Sequence, residues 1–291
     1  MNYRHAYHAG NFADVLKHVV FALSIDYLKK KEAPFRVIDT HAGCGRYALD
    51  APEPLKTREW VGGIGRLLGE GAAPLPLGVA EAMAPYLNAV RACNPAGGIS
   101  VYPGSPLIAC ELMRPQDRLA ANELHPEDVE HLRSSLGRER RAKVLSLDAW
   151  VALKSLLPPR ERRGIILVDP AFEAEDEFDR LAEGLEDGLR RFATGVFIAW
   201  FPIKEPRVVR RLLEKIKQLD SQRALRVELS LGGAADPDGR LHTCGLIIIN
   251  PPYALEEQLA LVMPELARRL GDSHGARFQV EAIGHDRASA H

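Results

Sequence analysis

Arg36-Val-Ile-Asp-Thr-His-Ala-Gly-Cys-Gly-Arg-Tyr47 is the stretch from which the rest of the chain can be read. Its β-branched start, Val37 and Ile38, ends in Asp39, and glycines follow at Gly43 and Gly45. An apolar strand thus gives way to a turn that glycine tolerates best, because it lacks a Cβ and takes positive φ freely. That is how a parallel strand delivers the chain into a ligand-touching loop at the carboxyl edge of an α/β sheet. The pattern D-x-x-A-G-x-G carries its acid on the strand end, unlike the dinucleotide fingerprint G-x-G-x-x-G. A carboxylate there suits a ligand with an ammonium or sugar hydroxyls, whereas a pyrophosphate calls for amides and a helix N-terminus. The same glycine spacing also occurs as a plain strand-to-helix turn in other α/β proteins.

Outward from this stretch, composition sets bounds. The 291 residues are 46% hydrophobic and 26% charged, with a formal net charge of −1, as in an ordinary folded protein. Length admits one large α/β domain or two smaller ones. No global basic field marks a protein that coats nucleic acid, although a local basic face is compatible with this charge. Cys44, Cys93, Cys110 and Cys244 form no C-x-x-C pair and lie among apolar neighbours, which reads as reduced thiols in a cytosolic protein. With no secretory signal and no bilayer-length apolar run, the expected protein is soluble and cytoplasmic.

Before the glycine loop, residues 1–11 concentrate Tyr3, Tyr7, Arg4, His5 and His8 with little to bury. Such a segment is either an ordinary frayed tail or an arm that stacks on bases and touches phosphate. A helix follows, with Leu16, Val19, Val20, Leu23 and Tyr27 on one stripe. Asn11 is its expected N-cap, and Lys29–Lys31 with Pro34 end it. Asp14, Lys17 and His18 sit on another face, where a solvated Asp–Lys pair is the plain reading.

After the loop, prolines and glycines break up residues 51–98, and a helix is expected only over Val79–Cys93. This stretch reads as an inserted, mostly helical subdomain over the carboxyl edge. Residues 1–50 and 99–291 then form the main domain. Val101–Pro106 reads as a loop, with Ser105 as N-cap of a short helix through Leu112. Further strands are expected at Arg118–Asn122, ending at Glu123; at Val144–Leu147, closed by Asp148; at Ile165–Val168, ending in Asp169; and at Gly195–Trp200. Leu225–Leu231 and Gly245–Asn250 complete the sheet as a hairpin at one edge. The last dozen residues look frayed. Glu123 is placed to bind a ribose, or equally to cap the helix that begins at Pro126. Strand–helix alternation predicts one doubly wound α/β domain with a seven-stranded, mostly parallel sheet.

Two stretches are candidates for the [DNS]-P-P-[YFW] motif of enzymes that methylate exocyclic amines: Asp169-Pro-Ala-Phe172 and Asn250-Pro-Pro-Tyr253. The second fits the pattern better, but position favours the first. A catalytic loop is expected after the fourth strand, beside the first, at the topological switch point. Asn250-Pro-Pro-Tyr253 is then a Pro-terminated edge strand. The chemistry needs such a loop because the lone pair of an adenine N6 is delocalised into the ring. A carboxylate taking one N–H, and the next carbonyl taking the other, return density to nitrogen and hold it in line with the methyl donor. An aromatic ring such as Phe172 stacks on the base, which a structured nucleic acid must first extrude.

The glycine loop resembles the first motif of S-adenosylmethionine-dependent methyltransferases. Together with Tyr3-Arg-His-x-x-His-Ala-Gly-Asn-x-Ala-Asp-Val-Leu-Lys-His18, Tyr102-Pro-Gly-Ser-Pro-Leu-Ile-Ala109, Glu123-Leu-His-Pro126 and the Asp169 loop, it makes the chain similar, end to end, to the RlmJ family of 23S ribosomal RNA adenine-N6 methyltransferases. The resemblance implies a Rossmann-like methyltransferase fold with a small helical insertion. It implies that His18, Asp39, His41, Gly43, Ser105, Glu123, Asp148, Ala149 and Asp169 bind S-adenosyl-L-methionine. Asp169 accepts the amine's proton, with Pro170 and Phe172 completing the catalytic loop, and Tyr3, His5 and Lys17 touch the target nucleotide. The expected partner is 23S rRNA, free or in early assembly, with a monomeric enzyme, no metal and no membrane. Family members commonly carry DPPY, so Ala171 and Phe172 are departures, and Ala149 stands where glycine is usual. DNA as the methyl acceptor, or a non-catalytic role in DNA uptake or use, are the alternatives. Arg4, Lys17, Arg58, Arg138, Arg140 and Arg141 are candidates for a basic RNA-binding patch.

Overall fold

The computed structural model describes residues 4–219, 223–233, 240–271 and 275–283. A 3₁₀ turn over His5–Tyr7 leads into helix α1 (Phe12–Lys29), whose first turn is capped by the Asn11 side chain accepting from the Asp14 amide. This helix is buried around nearly its whole circumference, so its apolar stripe understates it. A helix apolar on most faces belongs inside the fold.

Strand β1 (Arg36–Asp39) leads into the glycine loop, followed by β2 (Arg46–Ala48). Residues 51–98 hold five short helices, α2 (Pro52–Thr57), α3 (Glu59–Gly62), α4 (Gly65–Leu68), α5 (Leu77–Ala82) and α6 (Ala84–Ala92). The single helix expected over Val79–Cys93 is thus two, divided at Met83. Pro85 lies in the first turn of α6, where a missing N–H costs nothing; inside a longer helix its ring would meet the preceding turn. Ile64, Met83, Tyr86, Leu87 and Val90 join the same core as α1.

Val101–Pro103 is not a loop but strand β3, paired antiparallel with β2. Helix α7 (Ser105–Leu112) follows, capped by Gly104 rather than Ser105. Then come β4 (Arg118–Asn122), α8 (Pro126–Leu136), β5 (Ala142–Leu145), α9 (Ala149–Leu156), β6 (Gly164–Val168), α10 (Glu177–Arg191), β7 (Val196–Pro202), α11 (Pro206–Lys217), β8 (Ala224–Ser230), β9 (Thr243–Ile249), α12 (Leu255–Leu270) and β10 (Arg277–Ile283).

The main sheet has eight strands in the order β10-β8-β9-β7-β6-β1-β4-β5, one more than expected. The extra strand is β10, whose last four residues fall in the stretch that read as a frayed tail. It is an edge strand, mostly exposed, so it lacks the apolar run by which buried strands announce themselves. Strands β5, β4, β1, β6 and β7 are parallel, whereas β9, β8 and β10 pair antiparallel. All five residues of β6 are buried, because helices cover both faces. On one face Val37, Ile165 and Leu167 pack with α1, α7 and α12; on the other Ile38, Ile166 and Val168 pack with α10 and α11. No helix among the described residues is long and apolar enough to cross a membrane.

The candidate active site

β1 lies between β4 and β6, and successive elements leave it toward opposite sides, so a crevice opens at its carboxyl end. Asp39, the last residue of β1, is fully buried there. Its Oδ2 accepts from Ser105 Oγ at 2.6 Å and its Oδ1 from the His41 amide at 3.3 Å. Ser105, freed from capping α7, is thereby tied to the strand end. Burial pushes the Asp39 carboxyl up to about 7, partly opposed by the Ser105 hydroxyl.

Gly43 takes φ +60°, and an added Cβ would sit 2.2 Å from the Tyr47 hydroxyl. Its amide donates to Glu123 Oε2 at 2.8 Å, while Glu123 Oε1 accepts from the His125 amide. Glu123 therefore clamps the glycine loop to the end of β4 and also caps the approach to α8. His18, from α1, reaches the same pocket. Its Nδ1 shares a proton with the Tyr102 hydroxyl at 2.7 Å, while its Nε2 is buried with no hydrogen-bond partner. Burial lowers His18 to about 3 and His41 to about 4, so both are neutral imidazoles at pH 7. His41 Nδ1 accepts from the Asp169 amide at 3.3 Å.

Asp169 stands one residue beyond β6. Its Oδ2 is ion-paired with Lys17 Nζ, which also lies 2.8 Å from Asp14 Oδ1. This is no solvated pair: Asp14 and Lys17 are both buried. Burial would lower the Lys17 ammonium, but the two carboxylates outweigh it and hold it above its ordinary value. Burial would likewise raise Asp14, yet His5 and Lys17 keep it well below the usual carboxylate range. Asp14 also accepts from His5 Nε2 at 2.9 Å and from the Gly10 amide at 2.8 Å.

That carboxylate fixes part of the arm. Arg4 ion-pairs with Glu127 and Asp128 on α8, at 2.7 and 3.1 Å. His8 binds Glu59 at 3.0 Å, and Asn11 Nδ2 donates to the same carboxylate. Residues 4–11 are therefore not a frayed tail. Tyr3 lies outside the described residues.

Two cavities meet at Asp169. A narrow pocket is bounded by His18, His41, Gly43, Ser105 and Glu123, among others. A larger one, about 770 Å³, runs from Asp169 and Phe172 to Trp200, Lys204 and Arg240. His5, Lys17, Asp169 and Ala171 line both. Phe172, held at φ +52°, packs its ring on Phe178 and Trp200 with centroids 4.7 and 5.8 Å apart.

Asp148 and Ala149 line neither cavity. Asp148 caps α9 by accepting from the Trp150 and Val151 amides, and Arg180 lies 3.5 Å from its second oxygen. Around them lie Leu124, Leu147 and Val151, exposed apolar side chains on the same edge. Sequence reasoning missed Trp200, Phe178 and Glu59. The first two read as core and helix residues, and only the turn geometry of Phe172 brings them to the site. Asn250 is not brought there. β9 runs antiparallel to β7, so its carboxyl end emerges at the other edge of the sheet. β9 is also an interior strand, so direction, not edge position, removes it. Of the candidate basic patch, Arg4 and Lys17 are consumed in ion pairs, and Arg141 binds Glu139 and the Cys110 and Met113 carbonyls.

A parallel sheet with an antiparallel strand between its last two members, an acid ending the first strand, and an Asp-Pro loop ending the neighbouring fourth define a Rossmann-like methyltransferase. The profile of the family described as ribosomal RNA large subunit methyltransferase D, RlmJ, matches residues 32–282. The chain is 41% identical over 270 residues to ribosomal RNA large subunit methyltransferase J of Escherichia coli strain K12, covering 93% of this chain and 94% of that protein. To the protein of the same name from Haemophilus influenzae it is 37% identical, covering 97% and 99%. A crystal structure of a Legionella pneumophila protein superposes with a TM-score of 0.86 at 30% identity, over 95% of this chain and 98% of that one. The chain belongs to the RlmJ family.

Proposed function

We propose that this methyltransferase transfers a methyl group from S-adenosylmethionine to the exocyclic N6 of one adenine in 23S ribosomal RNA. The observation that carries the reading is the position of Asp169: held by a buried lysine, in the wall that separates a narrow pocket from a nucleotide-sized cavity. That is where an acceptor must stand to hold an amine against a methyl donor bound on the other side.

The narrow pocket fits the donor chemically. His18 Nε2 is a buried polar atom without a partner, and burying it unpaired is unfavourable unless a ligand completes it. Asp39 with Ser105 suits the ammonium of the amino-acid end. Glu123 suits the ribose. Asp148, the Ala149 amide and the apolar side chains Leu124, Leu147 and Val151 suit an adenine laid along the edge. S-adenosylmethionine supplies an electrophilic methyl on a sulfonium. His41 and Gly43 complete the contacts through their positions in the same loop.

On the acceptor side, Lys17 pairs with Asp169 Oδ2, and Oδ1 takes one N–H of the amine. The Pro170 carbonyl takes the other, so density returns to the nitrogen as the new bond forms. Lys17 is held protonated and cannot itself serve as base. Phe172 and Trp200 offer the base an aromatic wall; the missing phenol and second proline do not disturb the Asp-Pro acceptor. His5 lines both compartments, and with Tyr3 it is assigned to contact the target nucleotide. The helices of 51–98, an inserted module in this reading, contribute Glu59 to the far wall. The enzyme works in the cytoplasm as a monomer, on 23S rRNA that is free or in early assembly.

The test is transfer of labelled methyl from S-adenosylmethionine to protein-free 23S rRNA, followed by digestion to nucleosides. Labelled N6-methyladenosine that disappears with Asp169→Asn is the expected result. Preference for matched DNA would move the activity to another polymer. Cofactor binding without transfer to any nucleic acid would leave a binding protein.

A further inference from the structure

The cavity beyond Asp169 has an unusual distribution of charge. Inside, the ionisable groups that line it are internally matched: His5 with Asp14, His8 with Glu59, Lys17 with Asp169. A phosphate gains little there, and a neutral base loses nothing. The exposed charged members of its lining, which mark the mouth, are Lys204, Arg240, Glu175 and Glu205. Past the mouth the balance changes. Val208 lines the cavity, and the next exposed positions of α11 are Arg207, Arg210 and Arg211, one helical face apart by three and four residues. Among the described residues, Lys204, Arg207, Arg210 and Arg240 have no carboxylate within ion-pair distance. Arg240 stands close enough to Glu59 to help lower its carboxyl. Arg211 is drawn 3.5 Å from Asp179, which also holds Lys215 at 2.8 Å.

We propose that the RNA strand carrying the target adenine leaves the catalytic cavity between Lys204 and Arg240 and runs along the Arg207–Arg210 face of α11. The base enters the charge-matched interior, and the flanking phosphodiesters remain outside on the cations. The acidic pair at the mouth, Glu175 and Glu205, reinforces this sorting by repelling phosphate from the interior. At about 770 Å³ the cavity sits well up in the range of pockets that enclose a whole ligand, leaving room for a neighbouring nucleotide beside the target. This inference rests on the ribosomal RNA reading of the site and adds to it where the strand lies.

A rival surface exists at the opposite, amino edge of the sheet. A cavity of about 350 Å³ there is lined by Tyr27, Lys30, Lys31, Arg162 and Arg163, with no acid in its wall. Arg163 is committed to the Leu28 and Ala33 carbonyls, so its charge answers the C-terminal end of α1. This pocket is separated from Asp169 by the length of β6, and a strand whose base is being methylated does not reach it directly.

The experiment compares two triple variants in RNA methylation over a salt series. For Lys204→Gln/Arg207→Gln/Arg210→Gln, KM for RNA is expected to rise about tenfold at physiological salt, and the log–log salt slope to flatten by about 2, near 0.7 for each phosphate no longer neutralised. Its kcat at saturating RNA and its affinity for S-adenosylmethionine stay at the wild-type values. Lys30→Gln/Lys31→Gln/Arg162→Gln is expected to behave as wild type. A wild-type KM and salt slope in the α11 variant, or the effect appearing in the amino-edge variant instead, overturns the proposal. Wild-type protein that methylates no RNA brings down the underlying reading as well, which is a different and separately visible result.

Discussion

Two loops in this protein are built on the same four-residue pattern, an Asp or Asn, a proline, an alanine or second proline and an aromatic, and they lie at opposite edges of one sheet. Asp169-Pro-Ala-Phe172 leaves the parallel strand β6 next to β1. Asn250-Pro-Pro-Tyr253 leaves β9, which runs the other way. Each loop contains a non-glycine residue in the left-handed region, Phe172 at φ +52° and Asn250 at +53°. Their polar groups are spent differently. Asp169 is paired with a buried ammonium and aimed between two cavities. The Asn250 amide donates to the Ala193 and Gly195 carbonyls at 2.8 and 2.9 Å, and Tyr253 is 83% exposed. One loop lines both cavities and the other ties together two strand ends. A short motif specifies a turn and a set of side chains; strand direction specifies what they face.

The largest effect expected from this contrast is on turnover. Asp169→Asn removes the carboxylate of the proposed acceptor while keeping the shape, and kcat should fall about 10²- to 10⁴-fold, the usual span for a lost proton acceptor. Thermal stability should change far less. Unchanged turnover in that variant, measured by labelled-methyl transfer, would break the comparison outright.

Lys17→Met asks how the site edge is held together. It leaves Asp14 and Asp169 without their shared cation, and Asp14 is buried. Removing one member of a buried ion pair costs about 3–5 kcal/mol, so denaturant unfolding should show a loss of that order. Asp14→Asn/Lys17→Met should recover part of it, since the stranded charge goes with the cation. A double variant no more stable than Lys17→Met would mean the pairing is not what is lost.

Most of the sheet was legible because buried parallel strands are apolar throughout and end in punctuating residues. Asp39, Glu123 and Asp169 each fall at a strand end or one residue past it, as their spacing suggested, whereas β5 ends at Leu145 and not Leu147, so Asp148 stands three residues beyond it. What escaped had no such signature. The edge strand β10 exposes Arg277, Phe278 and Gln279, and β3 is three residues containing a proline. Burial of Lys17 and His18 was also invisible in a local window, because Asp169 and Tyr102 stand 152 and 84 positions away. Trp200 and Glu59 reach the site through tertiary packing alone. The arm was half legible: its composition signalled function, while the contacts of Arg4, His5 and His8 come from α8, α1 and α3.

A pH experiment sharpens the contrast between the edges. Asp39, raised to about 7 by burial from an ordinary 3.8, holds a proton in the folded state that the unfolded chain has released. Between roughly pH 4 and 7 it therefore makes stability fall as pH rises. His18 and His41 act in the opposite sense. Their folded values near 3 and 4 lie below an ordinary 6.5, so the unfolded chain binds the extra protons and stability rises with pH over about 4 to 6.5. Asp39→Asn removes only the first contribution. Its stability should climb more steeply with pH across that window than the wild type's, the gap growing to about 4 kcal/mol at 1.4 kcal/mol per pH unit. Parallel Tm–pH curves for the two proteins would refute the buried-acid assignment.

The smallest effect belongs to the other loop. Asn250→Ala loses two hydrogen bonds, worth about 1 kcal/mol each, and places a side chain with no local compensation at positive φ, for about 1–2 kcal/mol more. Asn250→Gly loses the bonds but tolerates the backbone, so it should be the milder change by about that strain. The order wild type, Asn250→Gly, Asn250→Ala in Tm, with methyl transfer at full rate in all three, is what a structural tie between β9 and the turn before β7 requires. Loss of transfer in Asn250→Gly with Tm intact would instead make Asn250 a participant in the chemistry. Because β9 points its end away from Asp169, that outcome would require a second site for methyl transfer at the amino edge, and the argument from strand direction would fail with it.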